Sequence, residues 1–387
     1  MKKSKSGKTA LVLWGATDLG PPHFSADMLW RTRFKAPDPF AFVEIDGKAF
    51  LLVGPLELER AAKEANSGIE AVNYYDYVTK SRGYLINFLK KHGVKKMVVP
   101  NTFPCELYSA LLKSFKVAYA KPSFYPGRAV KADWEIQEIE KAQRAVEVAV
   151  SKAIDFLRVC KISGDNIVHV YQFATIITSE FLRNIIDDEL YRQGYLGIDT
   201  IVSSGLQAAD PHCAGFGPLY AHQPIVMDVF PLSLEAHYYA DMTRTVFKGQ
   251  PSQELMKMYN HVRFAQETGI GQIKAGADGQ KIYNWTLDYF NVNRYLTELK
   301  NRPMEGFIHG VGHGVGIDIH EPPTISSRSD ILRAGNVVTV EPGLYYQQAR
   351  GHIPAGGIRI EDMVLVTKNG CRNLTKFPKD LESMVIF

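Results

Sequence analysis

Four acidic side chains sit inside strand-like apolar runs, and no other feature limits this chain so tightly. Asp228 falls within Ile225-Val226-Met227-Asp228-Val229-Phe230, and Asp241 opens the run DMTRTVF. Glu341 follows Val337-Val338-Thr339-Val340, and Glu361 separates Ile358-Arg359-Ile360 from Met363-Val364-Leu365. A charged carboxylate in a buried strand is costly unless it is paired or bound to metal. An edge strand can carry one such acid into water, and Arg244 or Arg359 can pair with another. Four of them, two in each of two strand pairs, predict a shared buried site.

The flanking pattern says how those strand pairs are carried. Residues 9–125 alternate strand-like runs (TALVLWG, FAFVEIDGKAFLLVG with an Asp46-Gly47 turn, KKMVVPN) with helical stretches at Leu56–Ala65 and Tyr84–His92. Such alternation predicts a smaller mixed α/β domain over residues 1–127. After the break KPSFYPGRAVKADWE, helical spacing runs from Ile136 to Leu157, with Asp133 as the expected N-cap and Glu135 in the first turn. Residues 128–387 read as helices (132–160, 166–193), a strand pair, more helices (252–298) and a second strand pair. Two similar halves of that kind predict an α+β domain, one curved antiparallel sheet with helices outside.

A fifth element is FIHGVGHGVGIDIHEPP, with His309, His313 and His320 among the glycines 310, 312, 314 and 316. Missing side chains around His313 let backbone and a ligand approach closely. Neither this glycine run nor Gly15–Gly20 is a nucleotide loop, because Val315 breaks the first pattern and Pro21-Pro22 replace the Lys and Ser/Thr of the second. Four carboxylates with one imidazole make an oxygen-rich donor set, suited to Mn²⁺ foremost and to Co²⁺ or Zn²⁺. Four negative ligands balance two divalent ions, and such a pair can activate water against a carbonyl.

Charge and composition exclude other classes. Lys+Arg 45 against Asp+Glu 41 leaves +4, too little to mark a nucleic-acid binder, and Lys2, Lys3, Lys5 and Lys8 read as a solvated tail. No apolar run is long enough for a membrane span, and TALVLWG is too short for a signal-peptide core, so a cytoplasmic location is expected. Cys105, Cys160, Cys213 and Cys371 are scattered and read as free thiols.

At these residues the sequence resembles the pita-bread metallopeptidases, the family of Xaa-Pro aminopeptidase, prolidase and methionine aminopeptidase. The ordered set VMDVF, YYADMTRT, HGVGHGVGIDIHE, TVEPGLYY and GIRIED carries the resemblance, and HFSADMLWRTRFKAPDPF is similar to the creatinase/prolidase N-terminal domain. The resemblance implies a C-terminal pita-bread fold and five metal ligands: Asp228, Asp241, His313, Glu341 and Glu361, with Asp241 and Glu361 bridging. It implies catalytic roles for His320, which supports the tetrahedral intermediate, and for Glu341, which takes a proton from water. It also implies substrate contacts from His212, His309 and Tyr345, with Arg359 behind the ligands beside Asp228, and with Thr243 orienting Asp241. Family members commonly enclose ten residues between the two aspartates, whereas Asp228 and Asp241 enclose twelve. Both counts are even, so strand alternation still points both acids inward.

The implied activity is hydrolysis of an Xaa-Pro bond at the N-terminus of a peptide whose second residue is proline. That bond escapes strand-binding proteases because proline has no N–H and a fixed φ. Xaa-Pro dipeptidase (prolidase) is the alternative. A methionine aminopeptidase, a metal-free creatinase-like hydrolase and a non-catalytic binding relative are the remaining readings. A dimer or tetramer is the expected assembly.

Overall fold

The structure, a computed structural model, describes all residues except 1–6, 19–22, 80–82, 121–123, 171–174 and 301–302. Lys2, Lys3 and Lys5, together with Gly20, Pro21 and Pro22, therefore lie outside the described residues. The chain divides into two compact units, Met1–Arg128 and Ala129–Phe387.

The first unit contains β1 (Lys8–Gly15), α1 (Ala26–Thr32), β2 (Phe40–Ile45), β3 (Lys48–Val53), α2 (Pro55–Glu64), β4 (Ile69–Asn73), α3 (Tyr84–Lys91), β5 (Val94–Pro100), α4 (Cys105–Leu112) and β6 (Lys116–Ala120). Its strands form one mixed sheet in the order β4-β3-β2-β1-β5-β6. The β2–β3 hairpin closes through Asp46 and Gly47, both at positive φ (50° and 79°), the conformation an Asp-Gly turn favours. Alternation along the strands feeds two cores. Val12, Val43 and Leu52 pack with Phe88 of α3, while Leu13, Phe42 and Leu51 pack with Met28 of α1 and Ala61 of α2.

The second unit opens with α5 (Asp133–Val159), whose predicted stripe from Ile136 to Leu157 is buried. Ala132, not Asp133, occupies the N-cap position, and its N–H donates to Glu135 Oε2 at 2.7 Å. The helix expected over 166–193 is shorter. Residues Lys161–Ile162, Val168–Val170 and Thr175–Ile176 form short strands, β7 to β9, and α6 begins only at Ser179, running to Arg192. The β-branched Val168 and Val170 and the turn at Asn166 (φ 63°) oppose helix there, and the Thr178 side chain caps α6.

Next come β10 (Tyr195–Gly197), β11 (Ile201–Ser204), β12 (Pro224–Val229), β13 (Pro231–Ser233) and β14 (Met242–Lys248), then α7 (Gln253–Gln272) and α8 (Gly279–Val292). The second half supplies β15 (Gly312–Gly314), β16 (Glu321–Ile325), β17 (Val337–Val340), β18 (Gly343–Tyr346), β19 (Gly356–Arg359), β20 (Asp362–Val366) and β21 (Cys371–Asn373) before β22 (Val385–Ile386). The halves pair as two ladders, β11-β12-β14-β22 and β16-β15-β17-β20-β21. They are stitched where β14 meets the β19–β20 junction: Glu361 N–H donates to Thr243 O at 3.1 Å, and Thr245 Oγ1 donates to Arg359 O at 2.8 Å. The longer link between Asp228 and Asp241 folds as a hairpin extension, in which Ser233 N–H donates to Tyr238 O and Ala240 N–H to Pro231 O. No helix of the described residues is long and apolar enough to cross a membrane.

Candidate active site

The acids converge because each lies at a strand end along the seam between the two ladders. Asp228 is the penultimate residue of β12 and stands in register with Thr243 of β14. Asp241 immediately precedes β14, Glu341 immediately follows β17, Glu361 links β19 to β20, and His313 lies in the middle of β15. Gly312 makes that last approach possible, since a Cβ there would fall 2.0 Å from Thr339 O.

A cavity of about 690 Å³ is lined by nine of the residues singled out from sequence: His212, Asp228, Asp241, His309, His313, His320, Glu341, Arg359 and Glu361. Thr243 and Tyr345 stand behind the wall. The Thr243 hydroxyl lies 2.9 Å from Asp228 Oδ1 and 2.8 Å from Glu361 Oε2, so it orients these two acids and not the expected Asp241. Arg359 donates to Asp228 Oδ2 at 2.5 Å, to Thr243 Oγ1 at 3.1 Å and to the Tyr345 hydroxyl at 2.9 Å. Asp228 is thus the well-partnered member of the group.

The others are not. Asp241 Oδ1 and Glu361 Oε1 are buried without a hydrogen-bond partner among the described residues. Burial, and next the charge of Glu361, pushes Asp241 well above the usual carboxylate range, and burial together with Asp228 pushes Glu361 up to about 8. Glu341 is raised by burial and by Glu361. His313 sharpens the point. Its Nδ1 faces Gly314 O at 3.2 Å, an oxygen that only accepts, so Nδ1 carries the proton. Its Nε2 lone pair then points at Asp241 Oδ2 and Glu341 Oε1, at 3.6 and 3.4 Å. Burial holds the ring neutral, with its pKa down to about 4. A lone pair facing two carboxylate oxygens is repulsive unless a proton or a cation lies between them. Ligand atoms of Asp241, His313 and Glu361 all lie within 4.8 Å of one another, the arrangement a metal ion requires. The residues present fit divalent metal.

The remaining histidines differ in what they offer. His309 has both nitrogens engaged, Nδ1 with Gly310 O at 2.7 Å and Nε2 with the Tyr345 hydroxyl at 2.8 Å. It presents only a ring face to the cavity. His320 packs edge-on against His313, ring centroids 4.4 Å apart, and makes no hydrogen bond to a described residue. His212 is exposed at the rim, its N–H donating to Asp210 Oδ1 at 3.1 Å.

Several cavity residues carried no sequence signal: Asp210, Phe230, Met304, Ile308, Ile319 and Gln347. Thr339 had one. It lies two residues before Glu341 on the same strand face, and its hydroxyl accepts from His313 N–H at 3.1 Å while lying 3.4 Å from Glu341 Oε1.

Comparison with known proteins accords with this geometry. The model of "Metallopeptidase family M24" matches residues 137–368. An uncharacterized peptidase, YqhT, of Bacillus subtilis is 33% identical over 278 residues, covering 71% of this chain and 70% of its own. An Xaa-Pro dipeptidase of Pyrococcus horikoshii is 29% identical over 346 residues, 88% of either chain. The solved structure of an Xaa-Pro dipeptidase from Bacillus anthracis superposes with a TM-score of 0.79 at 26% identity, covering 98% of this chain and 95% of that one.

Proposed function

Since the chain belongs to metallopeptidase family M24, we propose that this peptidase removes the first residue from peptides that carry proline second, as an Xaa-Pro aminopeptidase. Its fold is the one met in prolidases and aminopeptidase P, a pita-bread domain preceded by a smaller mixed domain. We read residues 1–127 as that creatinase/prolidase-like domain and 128–387 as the catalytic one. The observation that carries the activity is a buried cluster in which Asp241 Oδ1 and Glu361 Oε1 have no partner among the described residues, while His313 Nε2 faces Asp241 Oδ2 and Glu341 Oε1.

Asp228, Asp241, His313, Glu341 and Glu361 would hold two divalent ions, Mn²⁺ foremost and Co²⁺ or Zn²⁺ as substitutes, which polarise the scissile carbonyl and lower the pKa of a water. Arg359 and Thr243 keep Asp228 and Glu361 in place. Glu341 takes the proton of the attacking water. His320, kept neutral because burial lowers its pKa, donates its one N–H to the developing oxyanion, and the proton taken by Glu341 passes to the departing proline nitrogen. The ring face of His309 and the rim residue His212 flank the proline.

One observation supports this reading over that of a dipeptidase. Among the described lining residues the one Lys or Arg is Arg359, and its guanidinium is taken by Asp228, Thr243 and Tyr345. A dipeptide brings a free carboxylate next to its proline, and among the described lining residues no uncommitted Lys or Arg meets it. The dipeptidase reading draws on what the relatives are called. Comparing Xaa-Pro dipeptides with Xaa-Pro-Xaa tripeptides in Mn²⁺ buffer tests both. Tripeptides are expected to show the higher kcat/KM, and a preference for dipeptides reverses the assignment. Cytoplasmic location and a dimer or tetramer belong to the same reading, checked by fractionation and light scattering.

A further inference from the structure

We propose that a buried ion pair, Lys131–Glu321, is the positioning device that holds His320 beside His313. This rests on the roles just given to those two histidines. Glu321 directly follows His320, and Lys131 stands two residues ahead of α5. Lys131 Nζ donates to Glu321 Oε1, and the two side chains are only 1% and 6% exposed.

The acid lies under the histidine loop. A Cβ at Gly316 would fall 2.6 Å from Glu321 Oε1 and 2.7 Å from Oε2, so the loop from Val315 to His320 closes directly over the carboxylate. The β15–β16 register breaks at this place: His313 pairs with Thr324, and Gly314 with Glu321. The loop is fastened at its near end by Val315 N–H to Val337 O at 3.1 Å and by Tyr239 N–H to Gly316 O at 2.8 Å. Neither bond reaches His320, whose ring is free of hydrogen bonds to described residues. Within the loop Gly316 N–H also donates to Asp318 O at 3.1 Å, which leaves the residue after His320 as the anchor on its far side. Lys131 is itself anchored: its N–H donates to Gly335 O at 2.8 Å, and Asn336 Nδ2 donates to Ala129 O at 2.7 Å. The cation is thus tied to the turn that feeds β17 and Glu341. Apolar side chains of similar volume would serve stability at least as well as a buried pair. A charge pair adds direction, and a histidine that must aim one N–H at a reacting carbonyl needs direction.

The test uses the full chain loaded with Co²⁺, with an Xaa-Pro-Xaa tripeptide as substrate. Lys131→Met/Glu321→Gln removes both charges at similar volume, and Gly316→Ala pushes a methyl onto the carboxylate without changing charge. Both variants are expected to fold and to bind Co²⁺ at the wild-type stoichiometry. Both should lose about 10- to 100-fold in kcat, the scale of a misplaced catalytic group, with KM little changed. The visible Co²⁺ bands should shift, because His313 shares the loop. A lowered melting temperature with wild-type kcat and an unchanged Co²⁺ spectrum would reduce the pair to a structural role and overturn the proposal. A wild-type protein that cleaves no Xaa-Pro peptide would instead defeat the functional reading, and the Co²⁺ spectrum of the variants would still decide this one.

Discussion

Glu361 and Asp362 are chain neighbours, each 1% exposed, and their carboxyls titrate in opposite directions. Strand alternation sends them to opposite faces, as it does Thr243 and Arg244 across the seam. On the Asp362 face burial raises the carboxyl, but Arg244 and Lys379 outweigh it and hold the group below its ordinary range. Asp362 accepts from Arg244 at 2.8 Å, Lys379 at 2.6 Å and Asn373 at 2.9 Å. Arg244 spends its remaining donors on the carbonyls of Thr243, Glu361, Phe377 and Pro378. On the Glu361 face Thr243 supplies one hydrogen bond, Oε1 has no partner among the described residues, and like charges stand nearby. Burial is equal, so burial does not mark function. The count of protein partners does: the satisfied acid is architecture, and the unsatisfied one awaits a cation.

Substitution on either face should break that symmetry in opposite senses. Asp241→Asn is expected to bring hydrolysis to background while the fold survives, because it removes one of several mutually repelling acids. Near-native activity with full metal content would refute the ligand role. Asp362→Asn should cost about 3–5 kcal/mol of stability, since it strands the charge of Arg244 in the interior. Denaturant unfolding measures this, and a change under about 1 kcal/mol would make the pair dispensable. His320→Ala, which touches neither face directly, should lower kcat by roughly 10²-fold with wild-type metal content. An unchanged rate would remove it from the reaction.

The smallest effect is a pH slope. In the metal-free chain Glu361 keeps its proton up to about 8, against an ordinary 4.5 when unfolded. The folded form binds the proton more tightly, so its advantage is complete at low pH and is lost as pH rises through this window. The melting temperature without metal should therefore fall from pH 5 to pH 8. Mn²⁺ should flatten or reverse that slope, because ligation requires the deprotonated acids. A metal-free melting temperature that rises across the window would contradict the raised carboxyl.

Much of this was legible in the chain. Acids interrupting Val/Ile-rich runs announce themselves because strand periodicity is local and their burial is costly wherever the strand goes. The Asp-Gly hairpin and the apolar stripe of α5 were equally plain. The start of α6 was not. Residues 166–178 contain enough apolar residues at mixed spacing to suit a helix, and only the turn at Asn166 and the Thr178 cap settle where it begins. His309 was legible as a cavity residue, but not that both of its nitrogens are already occupied.

The sequence by itself determined which residue types stand on which strand, and hence that unusual acids face inward from two halves of one domain. Only the tertiary structure decided which acids are satisfied. Arg359 reaches Asp228 across 131 positions, Thr243 reaches Glu361 across 118, and Lys131 reaches Glu321 across 190. Side-chain periodicity is a property of a few consecutive residues. The partner that cancels or leaves exposed a buried charge is set by packing between segments far apart in the chain, and no local pattern encodes that distance.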